Sequence, residues 1–428
     1  MRGARMSSQP NMLTVLRNPD FLRFELSVTL ATLAAEILTV AVGWMLYDIS
    51  GNPFDLGLVG LVQFLPTLLL VLVTGTVADS FPRHRIIVAC LAVEFIVIFG
   101  VFLVHESSNH QIWPILCLVA LLGAGRAFYS PAAHALAPNL VKREEIGAAI
   151  SCSTASWQCG AIAGPALGGF LYGHSPTLAF GTALGMISIS IVSAFGIRRI
   201  DPKRTRDEPM LSAILGGFNY MRREKIVLGA TTLDLFAVLL GSTVVLLPIY
   251  AKDILVGSPF EFGLLRAAIG IGALAMALYL GIFPIRRRAG HIMFAAVAVF
   301  GIGTIVFGMS TSLYLSVAAL ALMGASDMVS VYIREVLIQL WTPDEVRGRV
   351  TAVNFVLINA SNELGTFRAG SSATLFGPVA ATVAGGICTL LVTLLWMWWF
   401  PKLRRADDIS GADAPQRTAE PSADTPAA

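Results

Sequence analysis

The chain has 428 residues, 55% of them hydrophobic and only 13% charged, and its mean hydropathy is +0.73. Soluble domains carry roughly 25% charged residues, so this composition excludes a soluble globular enzyme, a disordered protein and a nucleic-acid binder. With 30 Lys and Arg against 27 Asp and Glu the net charge is only +3. The information therefore lies in where the cations sit rather than in how many there are.

A hydrocarbon core about 30 Å thick needs about 20 apolar residues per helix. Runs of that length, bounded by charge, Pro or Gly, predict twelve transmembrane helices at 22–47, 56–78, 86–104, 112–134, 147–172, 177–197, 226–250, 261–284, 291–309, 313–340, 348–372 and 378–400. The first follows twenty mostly polar residues and has no small-residue cleavage site after it, so it reads as a retained span and not as a secretory signal. Cys90, Cys117, Cys152, Cys159 and Cys388 all fall in apolar stretches without CxxC spacing. They read as small core residues, and no metal site is expected.

Lys and Arg stay on the cytoplasmic side of short loops. Here Arg2, Arg5, Arg17, Arg23, Arg83, Arg85, Lys142, Arg143, the charged segment from Arg198 to Lys225, Arg286 to Arg288, Arg347, Arg349 and Lys402 to Arg405 all fall on one side. The opposite loops contain only Lys252. Both termini are thus expected in the cytoplasm, in agreement with the even span count. The charged segment divides the chain into an N-terminal six-helix half (1–197), a linker (198–225) and a C-terminal six-helix half (226–405). Within the linker, MLSAILGGFNYMRR has apolar residues at helical spacing and is expected along the inner membrane surface. The tail 406–428, rich in Ala, Pro, Asp and Ser, has too little apolar area to fold.

The halves repeat one another. DISGNPFDLGLV, from Asp48, answers DILVGSPFEFGLL, from Asp253, each between the first and second span of its half, and LLGAGR ending at Arg126 answers LMGASD ending at Asp327. Two halves inserted in the same direction imply a pseudo-two-fold axis along the membrane normal, with a site between them near mid-depth.

The loop after the second span reads GTVADSFPRHR. It resembles the major facilitator superfamily pattern G-x-x-x-D-x-x-G-R-R/K: Gly75, Asp79, Arg83 and Arg85 fit, while Ser80 and Pro82 replace the usual Arg and Gly. Asp79 reads as part of a latch at the cytoplasmic gate. Arg83 and Arg85 read either as members of that latch or as positive-inside anchors. The fifth span contains Gly160, Gly164, Pro165, Gly168 and Gly169, a face without side chains and a bend. It matches the core of the superfamily's antiporter motif, G-x-x-x-G-P-x-x-G-G, although Ser151 stands where the longer motif has Gly, and generic helix packing is the competing reading.

Ionisable residues inside spans cost roughly 2.5–3.5 kcal/mol at a helix centre and need a compensating role. Glu36, Arg126, Asp234, Asp327 and Arg334 are the candidates for proton coupling or substrate contact, on helices that line the central cavity in the superfamily fold. The repeat makes an Arg126–Asp327 pair across the cavity plausible, with an Asp327–Arg334 pair within one helix as the alternative. Static struts are the competing role. Glu94, Arg266, Glu363 and Arg368 read as structural, Arg266 as reaching the outer headgroups. Trp44 and Phe236 would offer apolar surface to a substrate or to lipid.

Two longer stretches, GAGRAFYSPAAHALAPNLV with GPALGGFLYG, and GASDMVSVYIREVLIQLWTPDEVRGRVTAVNFVLINASNELGTFRAG, resemble the branch of the superfamily that holds the enterobactin exporter and related bacterial efflux proteins. The resemblance implies a multi-pass protein of the bacterial inner membrane, and a monomer working with a small-molecule substrate and the lipid bilayer, without nucleic acid, is the expectation for its partners. It would be a proton-coupled secondary exporter moving a small amphipathic organic molecule, siderophore or drug-like, by alternating access. No GxxxxGK[ST] is present, so the expected energy source is the proton gradient, without a cofactor. A solute importer and a non-transporting receptor or assembly factor are the alternatives.

Overall fold

A computed structural model describes residues 12–107, 111–198 and 210–405. Asp79 and Gly75 belong to a helix whose side chains at 71–72, 75–76 and 78–79 fall outside the described residues, as does the tail 406–428. The chain is an all-α polytopic membrane protein, and strands are absent among the described residues.

The first group of helices comprises α1 (Pro19–Ser50), α2 (Pro53–Ser80), α3 (Arg83–Glu106), α4 (Ile112–Leu136), α5 (Ile146–His174) and α6 (Pro176–Phe195). The linker helix is α7 (Met210–Arg223). The second group comprises α8 (Lys225–Gly241), α9 (Pro259–Ile282), α10 (Ala289–Met309), α11 (Leu313–Trp341), α12 (Asp344–Phe376) and α13 (Pro378–Trp399). Local chemistry sets the ends. Asn18 and Asn52 accept backbone N–H groups ahead of Pro19 and Pro53, Ser258 and Glu261 form a capping box around Pro259, and Gly51 closes α1 in the left-handed region.

Ten of the described helices are long and apolar enough to cross a membrane by length and composition. Of the twelve expected spans, the two outside that set are α5 and α12. α5 is rich in Gly and Ser and α12 in Asn and charge, because each packs against other helices, α5 on α1 and α9, and α12 on α2 and α8. The expected single span at 226–250 is interrupted. After Gly241 the chain passes through Ser242 and Thr243 into the short turns Val244–Leu246 and Leu247–Ile249 and a wide turn at Tyr250–Ile254. Arg368 of α12 holds the break, donating from Nε to the Leu239 carbonyl (2.9 Å) and from Nη2 to the Ser242 carbonyl (3.0 Å), which satisfies acceptors the helix no longer pairs.

The linker helix packs one stripe of its surface on protein. Met221 is fully buried, the Tyr220 hydroxyl donates to the Trp341 carbonyl at 2.7 Å, and Gly217 packs on the Arg349 backbone at the start of α12. An amphipathic stripe finds protein as readily as lipid, since either removes it from water.

Candidate transport cavity

Two glycine pairs bring the groups together. Gly57 of α2 meets Gly370 of α12, where a Cβ on Gly370 would lie 2.7 Å from Gly57 Cα. Gly169 of α5 meets Gly263 of α9, where a Cβ on Gly169 would lie 2.8 Å from Gly263 Cα. In the repeat Gly57 answers Gly263, so the two crossings are symmetry-related. Beyond them, at the end away from the linker, the Tyr47 hydroxyl donates to Asp253 and Lys252 pairs with Asp48. Tyr47-Asp48 and Lys252-Asp253 are themselves equivalent positions, so each half's acid is held by the other half's donor. Thr374 adds a bond to Asn52 at 3.2 Å.

Beneath this closed end lies a cavity of about 280 Å³ between the halves. Its wall is aliphatic, with Val42, Val59, Val97, Val119, Leu122 and Val244 among the lining, and Phe262 is its aromatic contribution. Against that wall stand four charges: Glu36, Arg126, Arg266 and Glu363. Arg266 donates to Glu36 at 3.2 Å across the halves, each side chain about a quarter exposed. Such a pair sits between the fully wet and fully dry limits, where a competing ligand can replace one partner. Arg126 has no hydrogen bond or ion pair among the described residues, although its charge acts on both Glu94 and Glu363. A guanidinium held in this way is a ready partner for a carboxylate or phenolate.

The antiporter-type glycines make room for this site. A Cβ on Gly160 would lie 2.8 Å from Thr32, one on Gly164 2.5 Å from Glu36 Cβ, and one on Gly168 3.0 Å from Ile37 Cα. They seat α5 against α1 and leave the Glu36 stem its place, while Pro165 lies within the same helix with its carbonyl against Gly263.

Several expectations are corrected. The Arg126–Asp327 pair across the cavity is absent: Arg126 faces the cavity, whereas Asp327 faces a separate small void between α8, α10 and α11. Arg334 pairs instead with Asp234, a contact that one half makes by itself, so it does not depend on the halves closing. Arg266 reaches Glu36 rather than the headgroups, and Glu363 lines the cavity. Phe236 packs on Trp396 in a tilted ring contact with centroids 5.2 Å apart, away from the cavity, and Trp44 lies against Phe262 with centroids 6.4 Å apart. Arg83 donates to the Ala135 carbonyl at 2.8 Å within its own half, and Arg85 is exposed. Glu25, 3% exposed and bonded by Ser153, escaped sequence reasoning because it lies near the start of its span, where acids are common.

Comparison with known proteins agrees with this architecture. Residues 11–425 match the family model described as transmembrane secretion effector. The enterobactin exporter EntS of Citrobacter koseri is 25% identical over 414 residues, covering 94% of this chain and 96% of that protein, and EntS of Shigella boydii is 24% identical over 408 residues, covering 92% and 95%. Among solved structures, the nucleoside transporter NupG superposes with a TM-score of 0.68 at 11% identity, covering 89% of this chain and 99% of that one. A bacterial homologue of the lysosomal transporter Spinster, inward-facing and occupied, superposes with a TM-score of 0.70 at 14% identity over 90% and 97%. The chain therefore belongs to the transmembrane secretion effector family of the major facilitator superfamily, whose members are membrane transporters and not enzymes.

Proposed function

We propose that this protein is a proton-coupled secondary exporter of the bacterial inner membrane that carries a small amphipathic organic molecule outward by alternating access. The observation that carries the reading is the cavity itself: an aliphatic chamber with two acids and two arginines, set between repeated halves and closed at one end by a clasp. An amphipathic solute with an acidic group would lay its apolar body on the valines and its anion on Arg126 or Arg266, displacing Glu36. The acids Glu36, Asp234 and Asp327 are the candidates for the transported proton. Both termini lie in the cytoplasm in this reading, so the clasp faces outward, and the protein works as a monomer. The EntS likeness makes a siderophore or a drug-like molecule the substrate class of choice.

The test is uptake of siderophores and fluorescent dyes into inverted vesicles when a proton gradient is imposed. Accumulation that an uncoupler abolishes is expected. Accumulation indifferent to the gradient defeats the coupling, and movement only in the opposite direction makes the protein an importer.

A further inference from the structure

A second group of charges, in the second half, lines a space of its own, with Asp234 and Arg334 buried and Asp327 partly exposed. Asp234 of α8 and Asp327 and Ser330 of α11 line a void of about 10 Å³, room for about one water, with Val238, Val297 and Phe300 around it. Glu36, Arg126, Arg266 and Glu363 line the other cavity, and the two linings have no residue in common.

Charge does not balance in this cluster. Arg334, 2% exposed, is committed to Asp234, 4% exposed. Asp327 has no hydrogen bond or ion pair among the described residues, and one guanidinium neutralises only one carboxylate. Asp327, Ser330 and Arg334 are spaced at three and four residues and share a face of α11. The Ser330 hydroxyl, 2% exposed, lacks a hydrogen-bond partner although it lines the same void. The charged groups at hand are Asp234 from α8, Arg334 on the same helix and Glu335, whose half-exposed carboxylate accepts from Asn354 of α12 at 3.1 Å and lies 3.9 Å from Arg334 Nε. Among the described residues α9, α10 and α12 place no charge on the void. An unpaired carboxylate and an unpaired hydroxyl facing one water-sized space lack a single positive charge of minimal size.

We propose that Asp327, supported by Ser330, is the binding site for the coupling proton, physically separate from the substrate cavity. The inference rests on the exporter reading above and names where its proton sits. Substrate and proton then do not compete for one carboxylate; they communicate through α8. That helix carries Asp234 at the void, breaks at the Arg368-held turn, and continues as Val244, Val245 and Pro248 on the cavity wall before Lys252 and Asp253 of the clasp. Protonating Asp327 removes a negative charge beside the Asp234–Arg334 pair and so changes where that pair holds α8.

The experiment is infrared difference spectroscopy of the full-length protein in lipid nanodiscs, between alkaline and acidic buffer, with choline as the salt cation. Wild type gains a protonated-carboxyl band on acidification; Asp327→Asn loses it, Asp327→Glu restores it at a shifted position, Ser330→Ala moves it, and Glu36→Gln keeps it. A band that survives in Asp327→Asn, vanishes in Glu36→Gln, or is erased by sodium at fixed pH overturns the assignment. Should Asp327→Asn fail to fold, Ser330→Ala decides, an unmoved band overturning the proposal. A band belonging to Asp327 with uncoupler-insensitive transport would refute the coupling reading and leave the proton site. Uncoupler-sensitive transport with the band intact in Asp327→Asn would do the reverse.

Discussion

Glu36 and Arg334 are both charges inside membrane helices, yet their surroundings predict opposite consequences of removing them. The Glu36–Arg266 pair, about a quarter exposed on each side, is worth about 1 kcal/mol or less to folding. Glu36→Gln should therefore leave thermal unfolding in detergent nearly unchanged while tightening the binding of an acidic substrate by up to about fivefold, the weight of about 1 kcal/mol for a partner that no longer has to be displaced. A variant that loses stability with substrate binding unchanged would make Glu36 a strut. Arg334 and Asp234 are dry, and removing one partner strands a buried charge at a cost of about 3–5 kcal/mol. Arg334→Leu should thus unfold at markedly lower temperature, and the double variant Asp234→Leu with Arg334→Leu should recover most of the loss. A double variant as unstable as the single ones would show that the pair is not the reason. These charges were legible in the sequence as interruptions of apolar runs. Their partners were not, because hydrophobic periodicity fixes the pitch of a helix but not its rotation about its own axis. Asp327 and Arg126 occupy equivalent positions and still face different spaces. The same limit hides from the sequence that Arg266 and Glu363 line the cavity.

At the level of elements, the repeated turn between first and second spans solves one backbone problem twice with different residues. Gly51 adopts φ 61 in the first half, whereas the second half places Val256 at φ 51. The left-handed region costs a non-Gly residue roughly 1–2 kcal/mol, and more for a β-branched one, against an entropy cost for glycine of roughly 0.5–1 kcal/mol. Val256, 84% exposed, makes little packing contact that a substitution would forfeit. Val256→Gly should raise the stability of the protein by up to about 1 kcal/mol, seen as a higher unfolding midpoint; a lower midpoint would mean that the strain is compensated elsewhere. Run length and flanking Pro made the spans readable to within a few residues of their observed ends. The break after Gly241 was hidden because the apolar run continues through it, and it is held by Arg368 from a distant helix.

For the whole molecule, the clasp decides how easily the closed end opens. Its ion pair is exposed enough to add little to folding: Asp48 is 60% and Lys252 35% exposed at the side chain, and a pair of this kind is worth about 1 kcal/mol or less, while the buried Tyr47 contributes a hydrogen bond of net worth about 1 kcal/mol. That amount still matters between two conformations of similar energy, because about 1 kcal/mol changes their ratio roughly fivefold. The exchange is symmetric, Lys252 holding Asp48 and Tyr47 holding Asp253, so each bond resists the same opening motion of the two halves. Tyr47→Phe and Lys252→Ala should each raise the population open at this end by about fivefold or less, and together by about 25-fold or less if they act independently. Spin labels at His174→Cys and Thr311→Cys, exposed positions at that end on opposite halves, in a background without the five native cysteines, report the distance between the halves directly. A longer-distance population that grows in both single variants and further in the double one supports the clasp. Distances unchanged in all three would assign closure to the glycine crossings Gly57–Gly370 and Gly169–Gly263 alone, since packing of backbone on backbone can hold the halves without any polar bond beyond it.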